Sequence, residues 1–216
     1  MPTLDLAKLY GYAKEAVESI RETRKSAVDD LTNFTERQLE HEIGANLGKD
    51  GFVTYYDCLY PPPHNKKRAD LLTWRKKTYL KSSGDPCIWI EVKFTDSIND
   101  NLSQLTYQKD FDNLALPKKG MWGCPHHKYW VWLYVFKRKS SSVELSTENK
   151  SAWLRRMNFG QVIQRLKGQC KRQTLMHKVE EISKNKRIIK EACSIIPSPD
   201  PKNPDLAALL IVVRLT

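Results

Sequence analysis

Residues Cys87 to Phe94 read Cys-Ile-Trp-Ile-Glu-Val-Lys-Phe, an apolar run holding one acid and one base two positions apart. Side chains on a β-strand alternate between faces, so Ile88, Ile90, Val92 and Phe94 point one way while Glu91 and Lys93 stand side by side on the other. The run is too apolar for a solvent-facing edge. It therefore predicts a covered strand inside a sheet, carrying a carboxylate and an ammonium whose desolvation can match or exceed their attraction. The competing reading is a strand-face ion pair that serves structure alone.

A second acid lies upstream, Asp70 in Arg-Ala-Asp-Leu-Leu-Thr-Trp, at the start of another strand-like run. Between the two runs, Lys81, Ser82, Ser83, Gly84, Asp85 and Pro86 are strong turn chemistry. Hairpin pairing brings Asp70 beside Glu91, and two adjacent carboxylates make a cation-binding pocket of the kind that phosphodiester hydrolysis uses. The other acid-x-Lys triplets, Glu148-Asn149-Lys150 and Asp200-Pro201-Lys202, lie in polar and proline-rich stretches and read as solvated.

The remaining elements follow from periodicity. Leu6, Leu9, Tyr10, Ala13, Ala16, Val17 and Ile20 recur at helical spacing and predict a packing helix over 4–31. A second helix runs from about Thr35, capped by Thr32 or Asn33, through Leu39, Ile43 and Leu47 to a stop at Gly48–Gly51. Phe52–Leu59 alternates poorly but is rich in β-formers and is read as a first strand, broken by Pro61, Pro62 and Pro63. A helix over 101–115 places Gln104, Tyr107, Phe111 and Leu114 on one face, and Lys128–Lys137 reads as a buried fourth strand. Two basic helices are expected over 150–170 and 173–192. Pro197, Pro199, Pro201 and Pro204 then form an extended link to a last strand, 206–215.

Charge is segregated. The net charge of +11 hides a first stretch, 1–50, with 7 Lys/Arg against 10 Asp/Glu, and a later one, 118–192, with 18 against 5. A basic half beside an acid-bearing half suits a protein that tracks phosphates; the bland reading is a solvated lysine-rich surface. Lys66, Lys67 and Arg68, just before Asp70, and the pairs Arg155/Arg156 and Lys171/Arg172 are the candidate nucleic-acid contacts. Five cysteines with no CxxC pair predict reduced thiols. No apolar run approaches the ~20 residues of a bilayer span, and no charged-then-apolar leader opens the chain, so a soluble cytoplasmic protein is expected.

In order, a helical Glu40, then Gly51-Phe52, then Arg68-Ala69-Asp70-Leu71, then Ile90-Glu91-Val92-Lys93 resemble the PD-(D/E)XK nuclease superfamily. Glu40-His41-Glu42-Ile43 to Gly51-Phe52 resembles the first motif of its archaeal Holliday junction resolvases. Coverage runs from about Thr35 to Lys137, with Ala69 standing where a proline commonly precedes the aspartate. Gln104, Tyr107 and Gln108 do not reproduce the Gln-x-x-x-Tyr spacing of one exonuclease branch. The resemblance implies a restriction-endonuclease-like α/β fold, a mixed central sheet flanked by helices, over 32–216, with 1–31 as a helical extension and a basic helical region over 147–192. It also implies a metal-dependent DNA endonuclease of restriction or phage defence, repair and recombination, or mobile-element processing.

In that reading Asp70, Glu91 and the Val92 carbonyl bind Mg2+, with Mn2+ able to substitute, and Glu40 reaches the metal directly or through water. Lys93 orients or deprotonates the attacking water or balances charge in the transition state. DNA is the expected partner, and a homodimer suits the cutting of two strands. The rival is a nuclease-fold module that binds nucleic acid without turnover. Zinc is not expected: Cys124-Pro125-His126-His127 lacks a second ligand pair, and its imidazoles read as surface-loop groups. Trp130, Trp132, Tyr134 and Phe136 read as core in preference to a base-stacking platform.

Overall fold

The computed structural model describes residues 4–24, 35–60, 66–75, 86–96, 107–117, 126–138, 155–170, 173–197 and 206–216. Among these the helices are α1 (Leu6–Arg24), α2 (Glu36–Lys49), α3 (Tyr107–Leu114), α4 (Phe159–Gln169) and α5 (Gln173–Ser183). The strands are β1 (Phe52–Leu59), β2 (Arg68–Arg75), β3 (Cys87–Asp96), β4 (His126–Lys137), β5 (Ile188–Pro197) and β6 (Leu206–Leu215). They form one mixed six-stranded sheet in the order β1-β2-β3-β4-β6-β5, so the protein is α/β with helices flanking a central sheet. Only β3 and β4 run parallel, and α3 lies in the crossover that such a pair requires.

Alternation along β3 holds as the sequence predicts. Ile88, Ile90 and Val92 enter a core with α1 and α2, through Leu9, Val17, Leu39, Ile43 and Leu47. Trp89 enters a second core on the opposite face with α3, α4 and α5, through Phe111, Val162 and Val179. Trp130, Trp132, Tyr134 and Phe136 are buried in that second core, which settles them as packing residues. Each such fully buried side chain contributes roughly 1.5–3 kcal/mol.

α2 begins at a capping box in which Thr35 itself is the cap. Its hydroxyl accepts the Gln38 N–H at 3.2 Å while the Gln38 side chain accepts the Thr35 N–H at 3.2 Å. Thr32 and Asn33, the expected caps, lie outside the described residues. At the other end Gly51 turns into β1 with φ of 81°, a left-handed conformation suited to glycine. The Tyr56 ring packs so closely on α2 that a Cβ at Gly44 would fall 2.1 Å from its hydroxyl. His41 stacks on the same ring at 4.6 Å.

Three expectations are corrected. The basic helix over 173–192 ends at Ser183, where the Asn185 side chain accepts the Arg187 N–H at 3.0 Å and closes a turn into β5. Its charged first half disguises β5 as a helix continuation; Pro197 ends it, which an edge strand tolerates. The helix expected from 150 starts at Phe159 behind an Asn158 capping box, leaving Arg155 and Arg156 ahead of it. Lys171 and Arg172 lie outside the described residues, as does the start of the helix expected over 101–115. Finally, Cys87 is disulfide-bonded, while Cys58, Cys170 and Cys193 are free. Disulfides depend on Cα proximity, which sequence spacing does not reveal.

No helix among the described residues is long and apolar enough to cross a membrane.

Candidate functional site

The β2–β3 ladder pairs Thr73 with Ile88, Leu72 with Trp89 and Leu71 with Ile90, then stops. The next position in register sets Asp70 opposite Glu91. Beyond that point β3 keeps its bonds to β4, but among the described residues its ladder to β2 does not continue. Carboxylates take its N–H groups there. Asp70 Oδ2 accepts the Val92 N–H at 2.6 Å, and Glu36 Oε2 accepts the Phe94 N–H at 3.1 Å. A residue's carbonyl leaves a strand on the same side as its N–H, so the Val92 carbonyl also faces this gap.

Acids reach the gap from both sheet faces. α2 brings Glu36 and Glu40, one helical turn apart on a shared face. α3, on the other side, brings Asp110, whose Oδ2 accepts the Trp130 indole N–H at 3.0 Å. Glu91 is 6% exposed and its Oε1 accepts the Tyr60 hydroxyl at 2.6 Å. Lys93 Nζ lies 3.3 Å from Glu36 Oε2.

Tyr60 reaches Glu91 because β1 changes phase. Asp57 has φ of 52°, and among the described residues it is the one non-glycine at positive φ. Cys58 and Tyr60 thereby join the core that contains Leu72 and Trp89, although Leu72 pairs with Tyr55. This break also explains the poor alternation of Phe52–Leu59. Arg68 Nη1 donates to the Asp57 carbonyl at 3.0 Å and ties the bend to β2.

Glu91, Glu40, Asp70 and Asp110 hold their protons unusually well. Burial, with the Asp70 charge added, pushes Glu91 up to about 9. Burial, then Asp70 and Glu36, pushes Glu40 up to about 7. Burial pushes Asp70 up to about 6, against the Val92 hydrogen bond. Burial also raises Asp110, partly offset by the Trp130 hydrogen bond and by Lys93. For Lys93, burial opposes the charge, yet Glu36, Asp110 and Asp70 together outweigh it and hold the ammonium above its usual pKa. Among the described residues the site is thus a mainly acidic, partly buried cluster beside Lys93.

Of the residues predicted from sequence, Glu40, Asp70, Glu91, Val92 and Lys93 come together here. The basic candidates divide. Lys66, Lys67 and Arg68 are exposed at the start of β2, beside the acids. Arg155 and Arg156 are exposed near β5, where Met157 bridges to Cys193, three strands from β3 and thus roughly 14 Å across the sheet. There Arg155 and Arg165 line a groove with Asn158, Gln161 and Gln164. The imidazoles of His126 and His127 are not in a loop: both lie half-buried in β4, and His126 Nδ1 accepts the Trp89 indole N–H at 2.7 Å.

Sequence reasoning missed Glu36, Tyr60, Asp110 and Asp57. Glu36 carried a signal, its one-turn spacing from Glu40. Among the described residues no three His, Cys, Asp or Glu side chains form a ready metal cage. Asp70 and Glu91 each spend an oxygen on a protein donor. Mg2+ does not need such a cage, since it usually takes one or two protein carboxylates and fills its shell with water and phosphate. Two carboxylates in register and the Val92 carbonyl on the same side of β3 fit that requirement. No protein-family model matches the chain, and no curated protein or solved structure matches it either.

Proposed function

We propose that this chain is a metal-dependent endonuclease that hydrolyses DNA phosphodiester bonds. The observation that carries this reading is the parting of β2 from β3, which leaves Asp70 in register with Glu91 and the Val92 carbonyl facing the same side. The resemblance of Glu40, Asp70, Glu91 and Lys93 to the PD-(D/E)XK motifs supports it.

Asp70, Glu91 and the Val92 carbonyl would hold Mg2+ or Mn2+, with Glu40 adding a direct or water-mediated ligand. Such a cation polarises the scissile phosphate and acidifies a water. The protein's own contribution is positional. Tyr60 fixes the Glu91 carboxylate from one side while Asp70 lies across from it. Glu36 holds the Lys93 ammonium charged at the rim of the gap, where it can donate to the attacking water or to a phosphate oxygen as negative charge builds. Lys66, Lys67 and Arg68 offer phosphate contacts beside the acids. Cutting both strands of a duplex calls for two such sites, which a homodimer supplies.

The test is to incubate purified protein with plasmid, linear duplex, single-stranded, branched and RNA substrates, each with Mg2+, Mn2+ or EDTA. Metal-dependent DNA cleavage that EDTA abolishes is expected. Tight DNA binding without cleavage under any metal would assign the chain to a binding module instead.

A further inference from the structure

The sheet face that carries Glu91 is only partly roofed by the described helices. α3 packs on β3 and β4 and α4 on β5, whereas on β1 Tyr55 is exposed on that face. Tyr55 is 52% exposed and lies flat on Trp74, with ring centroids 4.9 Å apart and planes 15° from parallel. Its place relative to the acids follows from register. Tyr55 is opposite Leu72, and Leu72 is opposite Trp89, so all three share a face, with Glu91 the next residue on that face of β3. Strand spacing and rise then put Tyr55 about 12 Å from Glu91 along the sheet. A short stretch of extended nucleotide chain spans that distance.

The exposed cations on this part of the sheet lie beside the acids: Lys66, Lys67 and Arg68 are exposed at the Asp70 end of β2, whereas Arg75, the residue after Trp74, turns to the opposite face over the Phe52 ring at 5.2 Å. An exposed π-face on the same surface as the acids, with cations beside those acids, suits an occupant with flat apolar rings joined by anionic linkers. We propose that Tyr55, backed by Trp74, is a stacking platform for an unpaired base of the DNA strand entering the Asp70–Glu91 gap. The preferred substrate is therefore single-stranded DNA, free or at a branch, because a continuous duplex keeps its base faces stacked on one another. The path of the strand rests on the nuclease reading; the platform itself is a binding property and can be measured without turnover.

The experiment uses the full chain carrying Asp70→Asn, which removes cleavage from the measurement. Binding is followed by anisotropy of a fluorescein-labelled single strand and of its duplex, and by fluorescence quenching of a 2-aminopurine base in the single strand. Adding Tyr55→Ala is expected to weaken single-strand binding roughly ten-fold and to relieve the quenching, with duplex affinity unchanged. Tyr55→Phe, which keeps the ring, is expected to bind like the parent. Circular dichroism checks that each variant is folded. Equal losses on single strand and duplex, or no loss on either, would overturn the platform. So would a concentration-dependent dimer that Tyr55→Ala disperses with DNA binding intact, since a second copy would then be the occupant. If single-strand preference depends on Tyr55 but wild-type protein cuts nothing under any metal, the platform stands and the nuclease reading falls. Metal-dependent cleavage with no role for Tyr55 in strand preference gives the reverse.

Discussion

The Tyr60 hydroxyl donates to Glu91 Oε1 at 2.6 Å, and the Tyr60 ring stacks on Trp89, the preceding residue on the same face of β3, at 5.0 Å. Burial and the neighbouring Glu91 charge push the phenol far above its ordinary pKa, so Tyr60 remains a donor throughout the working range. A donor fixed on a carboxylate favours its ionised form. The Tyr60 hydrogen bond therefore opposes the burial that keeps Glu91 protonated.

Replacing Tyr60 by Phe removes that help and leaves the ring stack in place. Glu91 should then ionise at a pH above about 9, and Mg2+ affinity at neutral pH should fall several-fold, because the ligand must lose its proton to bind. Isothermal calorimetry across a pH series measures both effects. An unchanged affinity and pH profile would remove Tyr60 from the site. The fold should survive, at a cost of about 1–3 kcal/mol for the lost buried hydrogen bond.

Stability of the metal-free protein should fall as pH rises. Glu91, Glu40 and Asp70 have folded-state pKa values above those of the open chain. Between the ordinary value of 4.5 and about 9 for Glu91, the folded protein binds more protons than the unfolded chain, so its advantage shrinks with increasing pH. Thermal melts in EDTA should show Tm declining across that window, and Mg2+ should restore it at the upper end. Glu91→Gln should flatten the decline and raise metal-free stability at pH 8 by roughly 1–3 kcal/mol, since Gln needs no proton taken up on folding whereas Glu91, ionised in the open chain at that pH, does. A Tm that rises with pH would contradict these protonation states.

Lys93 is predicted to act in the chemical step. Lys93→Met keeps much of the apolar stem and removes the ammonium; single-turnover cleavage should slow by roughly 10²–10⁴-fold with DNA affinity little changed. Glu36→Gln retains an acceptor for the Phe94 N–H but loses the ion pair. Its rate loss should be smaller, because Asp110 and Asp70 still favour the charged lysine. Equal losses of binding and rate in Lys93→Met would make Lys93 a phosphate anchor.

Arg155 and Arg156 lie near the far edge of the sheet from the acids. Neutralising both should weaken DNA binding irrespective of sequence and flatten the slope of log affinity against log salt by roughly one unit per lost phosphate contact. Cleavage at saturating DNA should persist. Unchanged salt dependence would mark this charge as solvated surface and leave the DNA contact to Lys66, Lys67 and Arg68.

The central strand was legible because its signal is local. Period-2 alternation from Cys87 to Phe94 determined which side chains meet the α1–α2 core and which face the acids, and turn chemistry after Lys81 indicated the Asp70 strand as neighbour. Glu40 was legible through motif order. Asp110 was not, since an acid on a short amphipathic helix looks like any solvated residue until the β3–β4 crossover places that helix over the gap. Tyr60 was hidden behind the phase change at Asp57, which no alternation count foresees. β5 was lost for a similar reason: Lys186, Arg187, Lys190 and Glu191 prolong a helix-like charge pattern, and the strand emerges only through pairing with β6.

The most direct measurement is the initial rate of plasmid nicking in Mg2+ by wild-type protein and by Glu91→Gln, each matched for fold by its thermal melt. Glu91 is the buried carboxylate on which the register, the Tyr60 hydrogen bond and the Asp70 charge converge. Wild-type protein should nick the plasmid in a reaction that EDTA stops, and the folded Glu91→Gln variant should show no activity above background. Nicking by Glu91→Gln at the wild-type rate would contradict a metal-dependent nuclease centred on Asp70 and Glu91.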